Sequence, residues 1–172
     1  MAVIGAIAAV ATVLVLRRPP EHAPGSAIRD WSRIASGRLH LEMRSTSPAA
    51  VSRFFAERGV PFRVEPEALA LPGFRLSGAR VHAIDGRPSA LAVHRDARNR
   101  IVVCQTFEGR LEELPRPDRV FLRDPGKVHL YRSRRGSAVF WQDGSLTRSL
   151  ASDVSGEELV RLVLDRGSGS VR

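Results

Sequence analysis

The stretch LPGFRLSGARVHAIDGRPSALAVHRDARNRIVVCQTF (Leu71–Phe107) decides the fold. Three short apolar runs are cut by two turn signals, Asp85-Gly86 and Asp96 to Asn99. Asp-Gly between alternating residues is a strong hairpin signal, because both turn positions need positive φ and these residues accept it. The pattern predicts three antiparallel strands in a meander, at roughly 74–84, 88–95 and 100–107. Pairing Arg95 with Arg100 across the second turn sets Cys104 opposite Leu91. Leu91, Val93, Val102 and Cys104 then form one apolar face.

Downstream, Glu108 to Gly126 is a proline-rich, charged connection holding a short strand, Val120 to Leu122. The meander device is then repeated: strands Val128 to Arg132, Ala138 to Gln142 and Leu146 to Ala151, with turns at Ser133 to Gly136 and at Asp143-Gly144. Ser155-x-x-Glu158 is a capping box opening a last helix. Leu159, Val160, Leu162 and Val163 give that helix an apolar face, and Gly167 is expected to end it, leaving 167–172 as a frayed tail.

Upstream, Ser47-Pro48 starts a helix with Ser as N-cap and Pro at the first helical position. Val51, Phe54 and Phe55 share its inner face, and Gly59 stops it. Pro61 to Val64 is predicted as a short strand, and Trp31 to Met43 as a short helix leading into a strand. The expected class is α+β: a mostly antiparallel sheet of about six strands in two meanders, with two helices packed on one face. That layout leaves the other face wet or open to a partner. The folded domain is placed at 31–166, after a Pro/Gly/Ala-rich linker at 19–30.

Residues Ala2 to Leu16 are uninterrupted apolar or small, and Arg17-Arg18-Pro19-Pro20 follows. At 1.5 Å per residue this run spans about 22 Å as a helix, short of the roughly 30 Å hydrocarbon core. Three readings compete. A signal peptide lacks a clear cleavage site and a basic start beyond the amino terminus. A core helix should have a polar face, and this run has none. A membrane or signal-anchor helix over 1–18, its arginines snorkelling to the headgroups, fits best. Arg17-Arg18 taken alone would place the C-terminal side in the cytoplasm.

The chain has 172 residues, one domain plus an anchor or tail. Lys and Arg outnumber Asp and Glu by 27 to 18, and Lys127 is the only lysine. With so much Ala, Val, Gly and Pro, the excess is read as codon bias rather than as a sign of direct nucleic-acid binding. Aromatic residues at 6% are also too few for a stacking platform. The basic turn Arg132, Arg134, Arg135 and Gly136 is read as a solvated hairpin tip, or as a contact with anionic headgroups if a membrane is near.

One cysteine excludes an intrachain disulfide, and Cys104 reads as a small core residue. His82 and His94 lie on neighbouring strands, on opposite faces or about 13 Å apart, which excludes shared ligation. No Cys-x-x-Cys, nucleophile elbow or glycine-rich phosphate loop occurs, so no metal, cofactor or catalytic set is expected. Trp141 reads as half-buried core, with an exposed binding role as the second reading.

Taken in order, several segments resemble one family: the apolar N-terminal helix, a Trp-containing segment and a Ser-Pro helix with paired Phe. Pro-Gly-Phe-Arg-Leu-Ser-Gly-Ala-Arg-Val (72–81) and Asp-Gly-Arg-Pro-Ser-Ala-Leu-Ala-Val (85–93) follow. Arg-Arg-Gly (134–136), Phe-Trp-Gln-Asp-Gly (140–144) and Ser-Asp (152–153) before Glu-Glu-Leu (157–159) complete the series. Over roughly residues 2–165 the chain resembles the extracytoplasmic part of bacterial membrane-spanning anti-sigma factors.

The resemblance implies a regulatory domain, not an enzyme, tethered by one span with its C-terminal domain in the periplasm or cell exterior. Its expected partners are the cell membrane and a protein partner or protease of a regulatory cascade. Among the matched segments it points to a structural or partner face drawn from Phe74, Arg80, Trp141 and Asp153. In that family a cytoplasmic sigma-holding domain, often with a His/Cys zinc motif, precedes the span. No such motif is present here, so a truncated member or a stand-alone outer domain is expected. A sigma factor is a partner only with a further upstream domain. The alternative is a small periplasmic enzyme or ligand-binding protein.

Overall fold

The computed structural model describes residues 22–123 and 126–168. Seven strands form one antiparallel sheet: β1 (Arg75–Ile84), β2 (Arg87–Arg95), β3 (Ile101–Glu108), β4 (Arg119–Leu122), β5 (Lys127–Ser133), β6 (Gly136–Asp143) and β7 (Leu146–Ser152). Their spatial order is β1-β2-β3-β7-β6-β5-β4. The two meanders are therefore real, and the β3–β7 pairing joins them into a single sheet. The Val120–Leu122 segment belongs to the edge strand β4, where Leu122 is 81% exposed. Pro61 to Val64 is not a strand; Val64 is held instead by Ser52, whose Oγ donates to its carbonyl.

Three helices pack on the sheet: α1 (Ala23–Ala35), α2 (Pro48–Glu57) and α3 (Gly156–Ser168). The expected pair of helices is α2 and α3. Ser47 Oγ accepts from the Ala50 amide, and Ser155 Oγ accepts from the Glu158 amide, as the caps predicted. The α3 helix continues past Gly167 to Ser168.

The helix α1 corrects the sequence reading twice. Residues from Ala23 on are not linker. Pro24 sits in the first turn, and Ala23, Ala27, Ile28, Trp31 and Ile34 are buried along one stripe. Nor do the helices share one face. One core cluster, which includes Val51, Phe55, Ala92, Val102, Cys104, Leu150 and Leu159, lies on the side of α2 and α3. The other, which includes Ala27, Trp31, Leu91, Val93, Val103, Phe107 and Phe140, lies on the side of α1. The reason shows in β3, where Ile101 through Phe107 are all buried. A strand buried on both faces needs cover on both. Among the described residues, neither face of the central strand β3 is left open for a partner in the way the one-sided layout implied.

The register of β2 on β3 also departs from expectation. Arg95 pairs with Ile101 and Cys104 with Ala92, a slip of one residue. Such a slip sends every side chain to the other face. Cys104 therefore shares the α2/α3 side with Ala92 and Val102, while Leu91 and Val93 face α1. The cause is Asp96, whose Oδ1 accepts from the amides of both Arg98 and Arg100. It winds a five-residue loop, closed by Asn99 at φ 62°, where four residues were expected.

At Asp85-Gly86 the prediction holds: both have positive φ, and Ile84 pairs with Arg87. The β6–β7 turn falls one residue later than read. Asp143 pairs with Leu146, so Gly144-Ser145 is the two-residue loop, and Trp141 lies opposite Arg148. Gly144 at φ 61° in the first central position is the mark of a type II′ turn.

Among the described residues no helix is long and apolar enough to cross a membrane. The run Ala2–Leu16, assigned to a membrane helix, lies outside the described residues.

Candidate functional site

The four residues singled out from the sequence occupy four different settings. Arg80 donates from Nη1 to the His40 carbonyl at 2.7 Å, and its Nη2 lies 3.4 Å from Glu42 Oε1. It fastens the 40–42 segment to β1. Trp141 is fully within the core on the α3 side. Asp153 is exposed, and its Oδ1 accepts from Ser152 Oγ at 3.3 Å in the turn after β7. Phe74 lines a surface groove and lies 6.0 Å beneath the Arg100 guanidinium. They do not assemble into one face.

Two other places gather polar chemistry; the sequence pointed to neither as a site, although Phe74, which it singled out, lines the second. The first is buried under α1. Asp30, at 0% exposure, accepts from Gln105 Nε2 at 3.0 Å through Oδ2, and His82 Nε2 lies 3.2 Å from the same oxygen. Gln105 comes from the middle of β3 and pairs in register with Ser149 of β7. Asp30 Oδ1, Gln105 Oε1 and Ser149 Oγ are buried without a hydrogen-bond partner among the described residues. Buried polar groups in this state are costly and conformation-specific. The His82 side chain is 20% exposed, so the cluster reaches the surface there. An Asp–His pair is the raw material of acid–base chemistry. Here both members tie a helix to a sheet, and the nearby hydroxyl of Ser89 is directed at the His82 carbonyl.

The second is a groove of about 780 Å³ at the start of β1 and the end of β2, lined by residues including Phe74, Arg75, Ser77, Arg95, Asp96 and Asn99. A bulge between Leu76 and Gly78 twists the edge strand here. Ser77, the extra residue, donates from Oγ to the Val93 carbonyl at 2.9 Å. Asp96 is saturated: Oδ2 takes the Arg100 Nε at 2.7 Å, and Oδ1 takes two amides. Burial alone would raise its pKa, but the Arg100 guanidinium and the Arg100 and Arg98 amides hold the carboxyl below its usual range. The loop is thus fully braced above the ordinary carboxylate pKa. It loses that bracing as pH falls through the lowered folded value.

No protein-family model, curated protein or solved structure matches the chain. The assignment of function therefore rests on its own residues. Among those described, no group of three or more His, Cys, Asp or Glu side chains is placed to hold a metal ion. His82 faces α1 and His94 the opposite side, where its Nε2 lies 2.7 Å from the Leu69 carbonyl.

Proposed function

We propose that the chain is a membrane-tethered regulatory domain, outside the cytoplasmic membrane, that acts by binding a protein or ligand in the manner of anti-sigma outer domains. The observation that carries this reading is the position of α1. The apolar run ends at Leu16, and by Ala23 the chain is already in a helix built into the domain core. Trp31 Nε1 donates to the Ile101 carbonyl at 3.0 Å, and Asp30 meets Gln105, so α1 is fastened to the middle of the sheet. An anchor at Ala2–Leu16 would hold the domain against the bilayer on a short lead of about six residues, roughly 20 Å at full extension. The Asp30–His82 pair favours a second reading, a small extracytoplasmic enzyme.

The tethered reading predicts that the full chain sediments with membranes and resists release by high salt and by alkali. A fragment beginning at His22 is expected to stay in the supernatant. It must not begin later, because a start at Ala27 would cut away the first turn of α1 with buried Ala23. Release of the full chain by salt alone would rule out an integral anchor.

A further inference from the structure

We infer that the groove between β1 and the β2–β3 loop is a binding site for an oxyanion carried on a small apolar body, a carboxylate or phosphate monoester beside a ring or alkyl group. Arg75 and Arg95 are direct cross-strand partners, so their side chains leave the same face of the β1–β2 pair. Like charges directly opposite one another are unfavourable in a sheet. Neither arginine has an acidic partner among the described residues, although Arg58, Arg63, Arg80, Arg87, Arg100 and Arg132 each do. The one carboxylate in the groove, Asp96, is committed to Arg100 and two amides.

Asn99 supplies the positioning. Its left-handed backbone is fixed by the Asp96 loop, and its Oδ1 accepts from Arg95 Nη1 at 2.9 Å. One guanidinium is thereby oriented in advance, and the planar fork of an arginine suits a carboxylate or phosphate. Ala97 adds apolar surface beside these cations, and the partly buried Phe74 borders the groove from the α3 side. The Phe74 ring is itself braced by Arg100. An anion entering here removes the Arg75–Arg95 repulsion, and the apolar body covers this surface.

The inference stands apart from the membrane reading: the site can fail while the chain still sediments with membranes, and the reverse. It is tested on the full chain in a non-ionic detergent, by calorimetric titration with phenyl phosphate and with phenylacetate. Inorganic phosphate and phenol serve as the charge-only and ring-only controls. Saturable binding of at least one aromatic anion, tighter than either control, is expected. The better of the two names the oxyanion. Arg95→Gln and Arg75→Gln should each weaken it about tenfold, the usual worth of a charged hydrogen bond. Both variants should melt no lower than the wild type, because each removes one of two opposed like charges. No saturable binding of either aromatic anion would overturn the inference, and so would binding that both glutamine variants leave unchanged.

Discussion

Gly78→Val is expected to destabilise the domain by about 3 kcal/mol or more, from a backbone collision added to a strained φ. Gly78 sits in the β1 bulge at φ 155°. A Cβ there would lie 2.3 Å from the Met43 carbonyl oxygen and 2.7 Å from Leu41 Cδ1. The 42–43 segment cannot back away freely, because the Glu42 and Met43 amides donate to the Ala79 carbonyl and the Ala79 amide donates to Met43. These bonds cover the open edge of β1, a place where bare backbone invites aggregation. Gly73→Ala is the control. It has a similar need for positive φ, at 76°, with nothing within 4 Å of the added Cβ, and should cost only about 1 kcal/mol. Urea denaturation of the two variants separates collision from φ. Equal midpoints would show that the 41–44 segment does not cross Gly78 as described.

The second large effect is expected at Asp30. Asp30→Ala would leave the buried Gln105 amide without its acceptor, at a cost of about 2 kcal/mol. It should also loosen α1 selectively, so hydrogen exchange ought to rise in Ala23–Ala35 before it rises in the sheet. A double-mutant cycle with Gln105→Ala isolates the shared contact, and coupling of about 1 kcal/mol is expected. Additive effects would mean that Asp30 stabilises α1 through something other than Gln105.

How far the sequence could be read depends on which signals were local. Asp85-Gly86 fixes a register by itself, and the first hairpin followed from it. The β2–β3 register did not, because it turns on Asp96 spending one carboxylate oxygen on two amides. Helix α1 was hidden by linker-like composition: Pro24, Gly25 and Ser26 suggest a loop, and a buried Asp30 interrupts the apolar stripe. Its burial pattern, Ala23, Ala27, Trp31 and Ile34, nevertheless has helical spacing. The apolar run Ile101–Cys104 that opens β3 was the available sign that both faces are covered. The candidate sites were less legible still. Asp30 and Gln105 are 75 residues apart, and Arg75 and Arg95 become partners only through the sheet.

The most direct test of the proposed tether and its orientation is a pair of C-terminal fusions of the full chain in a bacterial host. One carries a reporter active only outside the cytoplasmic membrane, the other a reporter active only inside. The account predicts activity from the outer reporter and silence from the inner one, against the local pull of Arg17-Arg18. Activity from the inner reporter alone would place the domain in the cytoplasm and contradict the account.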